Sequence, residues 1–331
     1  YFKDITSLNL KIISSHFKNN YALNGAAFNI NSIKKIDNVT TNYLEVIDTE
    51  FINNRAEYFG GAIFTDYANL DLVHITNVTF IGNKAYAGGA IYIQNHNFTL
   101  TKEIDMKENT KSYTFINNTS ESHGNNIATD PSYIEFLSNY PTNHITNLTN
   151  GDNLLLEFEL KDHFNQIILD NSKIYDDIMI KAIVENEEIY EKLTLNNEIL
   201  MENNVCFFIK GKCYLKYLKI YSKEISKFQL KLLVEENKNS NHSSSIHFQK
   251  NTMNVSLLDC QNNQIKIYSK NNIFYHCENP LCHLECPVEN GTAICIPGPN
   301  NNNNDRKYNQ CKCQSGWTGT KCDIIVRESL K

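Results

Sequence analysis

No apolar run of about 18 residues or more occurs anywhere in the chain, so no segment reads as a membrane-spanning helix. Positive charge is also short. Thirty-one Lys and Arg stand against 37 Asp and Glu, a net charge of −6, and without a broad cationic field the phosphate contacts that hold nucleic acids have no source. Arginine is nearly missing, since Arg55 is the only one before Arg306. The first residue, Tyr1, is not Met, and no signal-like apolar segment follows it. The chain is therefore expected to be a processed or excised piece, with any membrane tether outside it. No Ser-His-Asp order and no paired carboxylate set stands out, and the ten histidines are scattered along the chain.

What is present is polar but not highly charged. Hydrophobic residues make up 41% and charged residues 21% of 331, enough for real cores and for two or three domains. Asparagine, in pairs such as Asn53-Asn54 and in the run Asn300 to Asn304, lowers the mean hydropathy to −0.42. Ten cysteines occur, eight of them between Cys260 and Cys322, the density of a small module held by disulfides. N-x-S/T acceptor patterns fall at Asn38, Asn77, Asn97, Asn117, Asn118, Asn147, Asn241, Asn254 and Asn290. Cysteines and acceptors together point to the secretory route and an extracellular or cell-surface location.

The first 130 residues repeat. Phe17 to Phe28, Phe51 to Phe64 and Phe80 to Tyr92 share the template F-x-x-N-x-A, a short spacer, then G-G-A-I-F/Y or a close variant, and a degraded copy begins at Phe115. The phenylalanines are 34, 29 and 35 residues apart, which suits one coil of a parallel β-helix per repeat. In-register stacking would place Phe17, Phe51, Phe80 and Phe115 inside and Asn20, Asn54, Asn83 and Asn118 at the following corner, where asparagine tolerates left-handed backbone angles. The Gly60-Gly61 and Gly88-Gly89 pairs suit a second sharp bend with close approach of coils. These motifs resemble the repeat of polymorphic outer-membrane proteins and related pectin-lyase-like surface β-helices. That likeness implies a right-handed parallel β-helix rather than an activity. Lyases of this architecture use acidic calcium ligands and a basic residue, often arginine. Here the acids Asp48, Glu50, Glu57, Asp66 and Asp71 do not recur in a metal-loop pattern, and Arg55 reads as a solvated residue of the asparagine corner. Tyr43, Tyr58, Tyr67, Tyr86 and Tyr92 could stack on sugar rings if exposed, but they share no register.

From residue 131 the composition changes. Strand-like runs cover Leu154 to Leu160, Gln166 to Leu169, Ile178 to Val184, Glu191 to Leu195, Val205 to Ile209, Tyr214 to Tyr221, Phe228 to Val234 and Ile246 to Leu258, a pattern expected of an antiparallel sandwich. The stretch from Asn150 through Ile168 loosely resembles Ig-like domains of surface proteins. Cys206 and Cys213 flank Lys210-Gly211-Lys212, so a hairpin closed by a local disulfide is expected.

The tail reads Cys282-x3-Cys286-x8-Cys295-x15-Cys311-x-Cys313-x8-Cys322, with Gly316-Trp317-Thr318-Gly319 in its last loop. Spacing alone leaves the connectivity open. The pattern resembles an EGF-like domain, and the resemblance implies Cys282 to Cys295, Cys286 to Cys311 and Cys313 to Cys322. Asn279-Pro280-Leu281 stands where a calcium-binding version carries acids, so no calcium and no other cofactor is expected. Cys260 and Cys277 are left to pair with each other. Zinc held by His276, Cys277, Cys282, His283 and Cys286 is the competing account, and the acceptor patterns weigh against it. Asn300 to Asn304 reads as a solvated low-complexity insertion.

The expected organisation is a β-helix over 1–130, an Ig-like β-sandwich over 131–258 and an EGF-like module over 259–331. In this order the three parts resemble the extracellular regions of an anaerobic-fungal family of surface proteins, many of which continue into a region similar to class C G-protein-coupled receptors. The function expected is a non-catalytic ectodomain for recognition, adhesion or display, with an extracellular glycan or protein as ligand. A carbohydrate-active β-helix and a structural spacer are the alternatives. All ten cysteines should be oxidised in the mature protein, with Cys206 joined to Cys213 and Cys260 to Cys277. Mass spectrometry of non-reduced peptides checks this, and free thiols in the tail or one bound zinc per chain would contradict it.

Overall fold

The computed structural model describes residues 2–3, 9–31, 43–65, 75–94, 113–138, 140, 144–185, 199–224, 227–235, 246–248, 250–299 and 301–326. Among these, every regular element is a β-strand. The first coil runs through strands Asn9–Ile13, His16–Lys18, Tyr21–Asn24 and Phe28–Asn31. The second repeats them as Tyr43–Ile47, Glu50–Ile52, Arg55–Phe59 and Ile63–Thr65. The third follows as Ile75–Thr76, Val78–Ile81, Lys84–Ala85 and Ile91–Ile93, and the fourth shows Tyr113–Ile116, Thr119–Ser120 and Ile127–Thr129. Equivalent strands pair in parallel, so the coils form the stacked sheets of a β-helix.

Parallel register puts like residues above one another. Phe17, Phe51, Phe80 and Phe115 are direct partners, with ring centroids 5.2, 4.8 and 5.2 Å apart and ring planes within 23° of parallel. Phe51 and Phe80 are fully buried, whereas the end members Phe17 and Phe115 are half-buried. Each corner needs one residue with positive φ. Ser14, Asp48 and Asn77 supply it at the first corner, Asn19, Asn53, Gly82 and Asn117 at the second, and Gly25, Gly60, Gly88 and Gly124 at the third. The left-handed residue of the second corner is thus the one before each of Asn20, Asn54, Asn83 and Asn118, which frees those four amides to bond between coils. A Cβ at Gly61 would stand 2.0 Å from the Gly89 carbonyl oxygen, so the second glycine of each pair is set by contact between coils rather than by φ.

A two-sheet sandwich follows. One sheet runs Ile199–Glu202, Lys212–Ser222, Asn153–Asp162, Pro131–Phe136, His247–Phe248, and the other His144–Thr149, Thr252–Leu258, Lys227–Glu235, Met179–Glu185, Val205–Phe207. Alternation sends Leu154, Leu156, Phe158 and Leu160 into a core shared with Leu215, Leu218, Ile180, Leu230 and Val255. Pairing is antiparallel except at one edge of each sheet, where Pro131–Phe136 lies parallel to His247–Phe248 and His144–Thr149 parallel to Thr252–Leu258. The cause is topological: two distant segments each cross from the first sheet to the second in the same direction, side by side. Ile246 to Leu258 is accordingly two strands in opposite sheets rather than one. Gln166 to Leu169 is not a strand, and Ile167 makes only a single bridge to Lys161. The run Glu191 to Leu195 lies outside the described residues.

Beyond the sandwich, three two-stranded sheets pair Ile265–Tyr268 with Tyr275–Glu278, Ala293–Ile296 with Gln310–Cys313, and Trp317–Thr318 with Ile324–Ile325. Asn301 and Asn304 are not solvated here. Both are 7% exposed. Asn304 Oδ1 accepts from Leu281 N, and its Nδ2 donates to Glu278 and to the Asn279 carbonyl, while Asn301 Oδ1 accepts from Asp305 N. Short polar side chains replace a hydrophobic core where the segment is too small to have one.

Phe80 has stacked rings on both sides, so Phe80→Ala should cost about 3–5 kcal/mol, and Phe17→Ala, at the open end, clearly less. Urea unfolding followed by circular dichroism measures both, and equal losses would contradict the stacked core.

Candidate functional site

The strongest electrostatic perturbations gather where the β-helix meets the sandwich. Strand Ile127–Thr129 ends the last coil and Pro131–Phe136 opens the sandwich, with only Asp130 between them. Asp130 is buried and accepts a 2.6 Å hydrogen bond from the Tyr92 hydroxyl, which lies 2.9 Å from the Tyr175 hydroxyl. Tyr92 comes from the outward face of the third coil and Tyr175 from the sandwich loop that covers it. Burial, and then the charge of Asp130, hold both phenols well above their ordinary value. Tyr86 donates to Asp170, and burial followed by that bond pushes it up to about 12. Asp170 also accepts from the backbone N–H of Ile174 and Tyr175, which fixes the loop against Phe64, Tyr92 and Ala128.

His123 is enclosed on the same side. Its Nε2 donates to the Thr129 carbonyl, so Nδ1 is left to accept from Ser122 Oγ. Burial lowers this imidazole to about 4, and it stays neutral. Asp162, at the end of Asn153–Asp162, clasps the same junction. It accepts from Thr129 N, Phe164 N, Gln166 N and Gln166 Nε2, and Gln166 Nε2 also donates to the Ile127 carbonyl. Chemically Tyr86, Tyr92, Tyr175, His123 and Asp162 have the perturbed values of a catalytic site, but each is buried and bonded to another element. The cluster is a polar fastening between two units.

Sequence reasoning missed it. The stretch Lys161 to Gln166 reads as a polar connection, and the usable signal was an Asp placed two and four residues before backbone N–H groups that a turn must satisfy. The burial of Tyr86 and Tyr92 removes both as sugar-stacking candidates, while Tyr58 is 41% exposed. The side chains of Tyr43 and Tyr67 lie outside the described residues.

The asparagine corner is a continuous ladder. Asn20 Nδ2 donates to Asn54 Oδ1, Asn54 Nδ2 to Asn83 Oδ1, and Asn83 Nδ2 to Asn118 Oδ1, at 2.8, 3.0 and 2.9 Å. The same oxygens accept from the backbone N–H of Asn20, Asn54 and Asn83. Asn118 ends the series by donating to Asn126 Oδ1 and to the Phe80 carbonyl. This corrects one acceptor assignment. Asn118 is 4% exposed with its amide fully engaged, so the folded chain has no room for a glycan there. Asn77, Asn117, Asn147, Asn254 and Asn290 are exposed, and Asn38, Asn97 and Asn241 lie outside the described residues.

Arg55 leaves the corner rather than lying in it. It opens strand Arg55–Phe59, is exposed, and stands in register with Tyr21 on one side and Lys84 on the other. Lys84 is 3.2 Å from Glu121, and Glu50 pairs with His16 and Lys18. Among the described residues no group of three or more His, Cys, Asp or Glu could hold a metal.

Five disulfides join Cys206 to Cys213, Cys260 to Cys277, Cys282 to Cys295, Cys286 to Cys311 and Cys313 to Cys322. The first flanks the expected tight turn, in which Ile209 and Lys212 exchange backbone hydrogen bonds around Lys210 and Gly211, but it does more than close it. Cys206 sits on the edge strand Val205–Phe207 of one sandwich sheet and Cys213 on Lys212–Ser222 of the other, so the bond spans the two sheets.

A family model of the Chlamydia polymorphic membrane protein repeat matches residues 48–66 and 77–94. Both segments carry the stacked Phe, the ladder Asn and the glycine pair, and the repeat is of this type. No curated protein matches the chain.

Burial raises the Asp162 carboxyl to about 6 despite its four donors. The folded state therefore holds that proton more tightly than the unfolded chain. Its contribution to stability is full below the ordinary carboxylate value of about 4 and is lost as pH rises through about 6. Urea midpoints between pH 4 and 7 should show wild type losing ground against Asp162→Asn as pH rises, and parallel profiles would contradict the assignment.

Proposed function

We propose that this chain is the extracellular, non-catalytic part of a cell-surface protein, serving recognition, adhesion or display. The observation that carries the reading is where the reactive-looking groups sit: Tyr92, Tyr175, His123 and Asp162 are closed off in the fastening between β-helix and sandwich. The outward faces carry ion pairs, threonines and exposed aromatics, which suit contact rather than bond making. The likeness to a membrane-protein repeat and five disulfides support a surface location reached by the secretory route. The last three disulfides pair first to third, second to fourth and fifth to sixth, which supports reading the tail as EGF-like. A receptor-like role with a membrane tether outside this sequence fits the same picture, with a glycan or protein as extracellular ligand.

The second reading, a carbohydrate-active β-helix, is favoured by one observation. Arg55 and Lys84 stand side by side on an outward face. Lyase chemistry needs a cation to neutralise a uronate and a base to remove its proton. Glu121 engages Lys84 here, and the acids Asp48, Glu50 and Glu57 lie apart from any third metal ligand among the described residues. The purified chain should release no unsaturated product from pectin with or without calcium, measured by ultraviolet absorbance. Calcium-dependent release abolished by Arg55→Ala would overturn the non-catalytic reading.

A further inference from the structure

The outer face of one sandwich sheet carries a feature that the fold does not require. Strand Lys212–Ser222 pairs with Asn153–Asp162, and the register shifts so that Leu154 faces Leu218 while Leu156 faces Leu215. Two residues, Lys216 and Tyr217, therefore stand opposite the single residue Leu155. A bulge of this kind re-aims side chains and is common beside binding sites. Leu154, Leu156, Leu215 and Leu218 all point into the core, so the shift turns Lys216, Tyr217 and Leu155 outward together. Tyr217 is 66% and Leu155 50% exposed, and Tyr214, on the same face, is 37% exposed. Ser138 Oγ and the Tyr140 hydroxyl donate to the Leu155 carbonyl, and Asn203 Nδ2 donates to the Tyr217 carbonyl, so side chains hold the backbone on both sides of the bulge.

We infer that this bulge presents Tyr217, Leu155 and Tyr214 as a platform for a neutral polysaccharide chain. Three features select that ligand. A tyrosine offers a rigid apolar face with a polar tip, which matches a sugar ring with its C–H face and equatorial hydroxyls. Tyr214 and Tyr217 are separated by roughly 10 Å of strand, the span of a disaccharide, and both are exposed on the same sheet face. The local charge balances, two lysines against two glutamates: Lys212 lies 3.4 Å from both Glu157 and Glu159, and Lys216, 5.0 Å from the Tyr214 ring centroid, is the second cation. Such a surface has hydrogen-bond donors and acceptors for hydroxyl groups but no net field to recruit an anionic or cationic polymer.

The inference rests on the recognition reading above and names a site and ligand class for it. The test is affinity electrophoresis and column retention of the whole chain on cellulose, xylan, chitin and mixed-linkage glucan, with equal thermal unfolding as the folding check. Wild type should be retained on at least one of these and released by the soluble oligosaccharide but not by salt. Tyr217→Ala should weaken retention by about tenfold or more, Tyr217→Phe should keep it, and Tyr308→Ala, an exposed tyrosine of the tail, should have no effect. No retention on any neutral polysaccharide, unchanged retention of Tyr217→Ala, or binding that disappears with salt would overturn the platform. Binding of intact cell walls or of a protein without polysaccharide retention would also overturn it, while leaving the recognition reading in place.

Discussion

A buried amide must find partners, and in this molecule the partners exist only in the neighbouring coil. Asn54 and Asn83 are completely buried, and each passes its hydrogen bonds to the next asparagine and to a phenylalanine carbonyl one coil away. Leaving such a group unpaired costs about 1–3 kcal/mol, and one step of slippage would unpair the whole series while moving the phenylalanines off their stack. Register is thus specified twice, by polar satisfaction and by apolar burial. The spacing between ladder residues still varies, at 34, 29 and 35 residues. Most of the variation falls between the strands that end at Asn31, Thr65 and Ile93 and the strands of the next coil, with a one-residue shift between Ala22 and Asn24.

The second constraint is at the seam. With a single residue between the last coil and the first sandwich strand, the β-helix cannot turn freely against the sandwich, and Asp130 is bonded from the β-helix side. The loop carrying Asp170, Ile174 and Tyr175 covers the outward face of the last coils, which explains why Gln166 to Leu169 does not continue as a strand. Enclosing several ionisable groups is costly unless each is bonded. Here the carboxylates accept from backbone and phenol donors, and the histidine remains neutral. Perturbed ionisation at this seam reports the fastening of one unit to the other.

Toward the C-terminal end the means of cohesion change. The sandwich still has a large shared core, reinforced across its sheets by Cys206–Cys213. Beyond Leu258 the two-stranded sheets bury little, and covalent bonds together with the amides of Asn301, Asn304 and Asn309 take over.

Local repetition and spacing were enough to read the all-β class, the coil repeat with its Phe and Asn positions, and the sandwich core strands such as Leu154 to Leu160, because stacking and alternation leave periodic marks in the chain. What needed the tertiary structure were facts about which distant residues meet. Asn118 matches a glycan acceptor pattern in sequence, and only its burial in the ladder removes it. Arg55 follows the asparagine corner in sequence, and only the register shows it facing outward beside Tyr21 and Lys84. Cys206 and Cys213 flank a tight turn that the sequence shows, and only the tertiary structure shows that the strands on its two sides belong to opposite sheets. The meeting of Asp130, Tyr92 and Tyr175, and the pairing of Lys216 and Tyr217 against Leu155, depend on packing and register between segments tens of residues apart, and such pairings have no local period for a sequence to display.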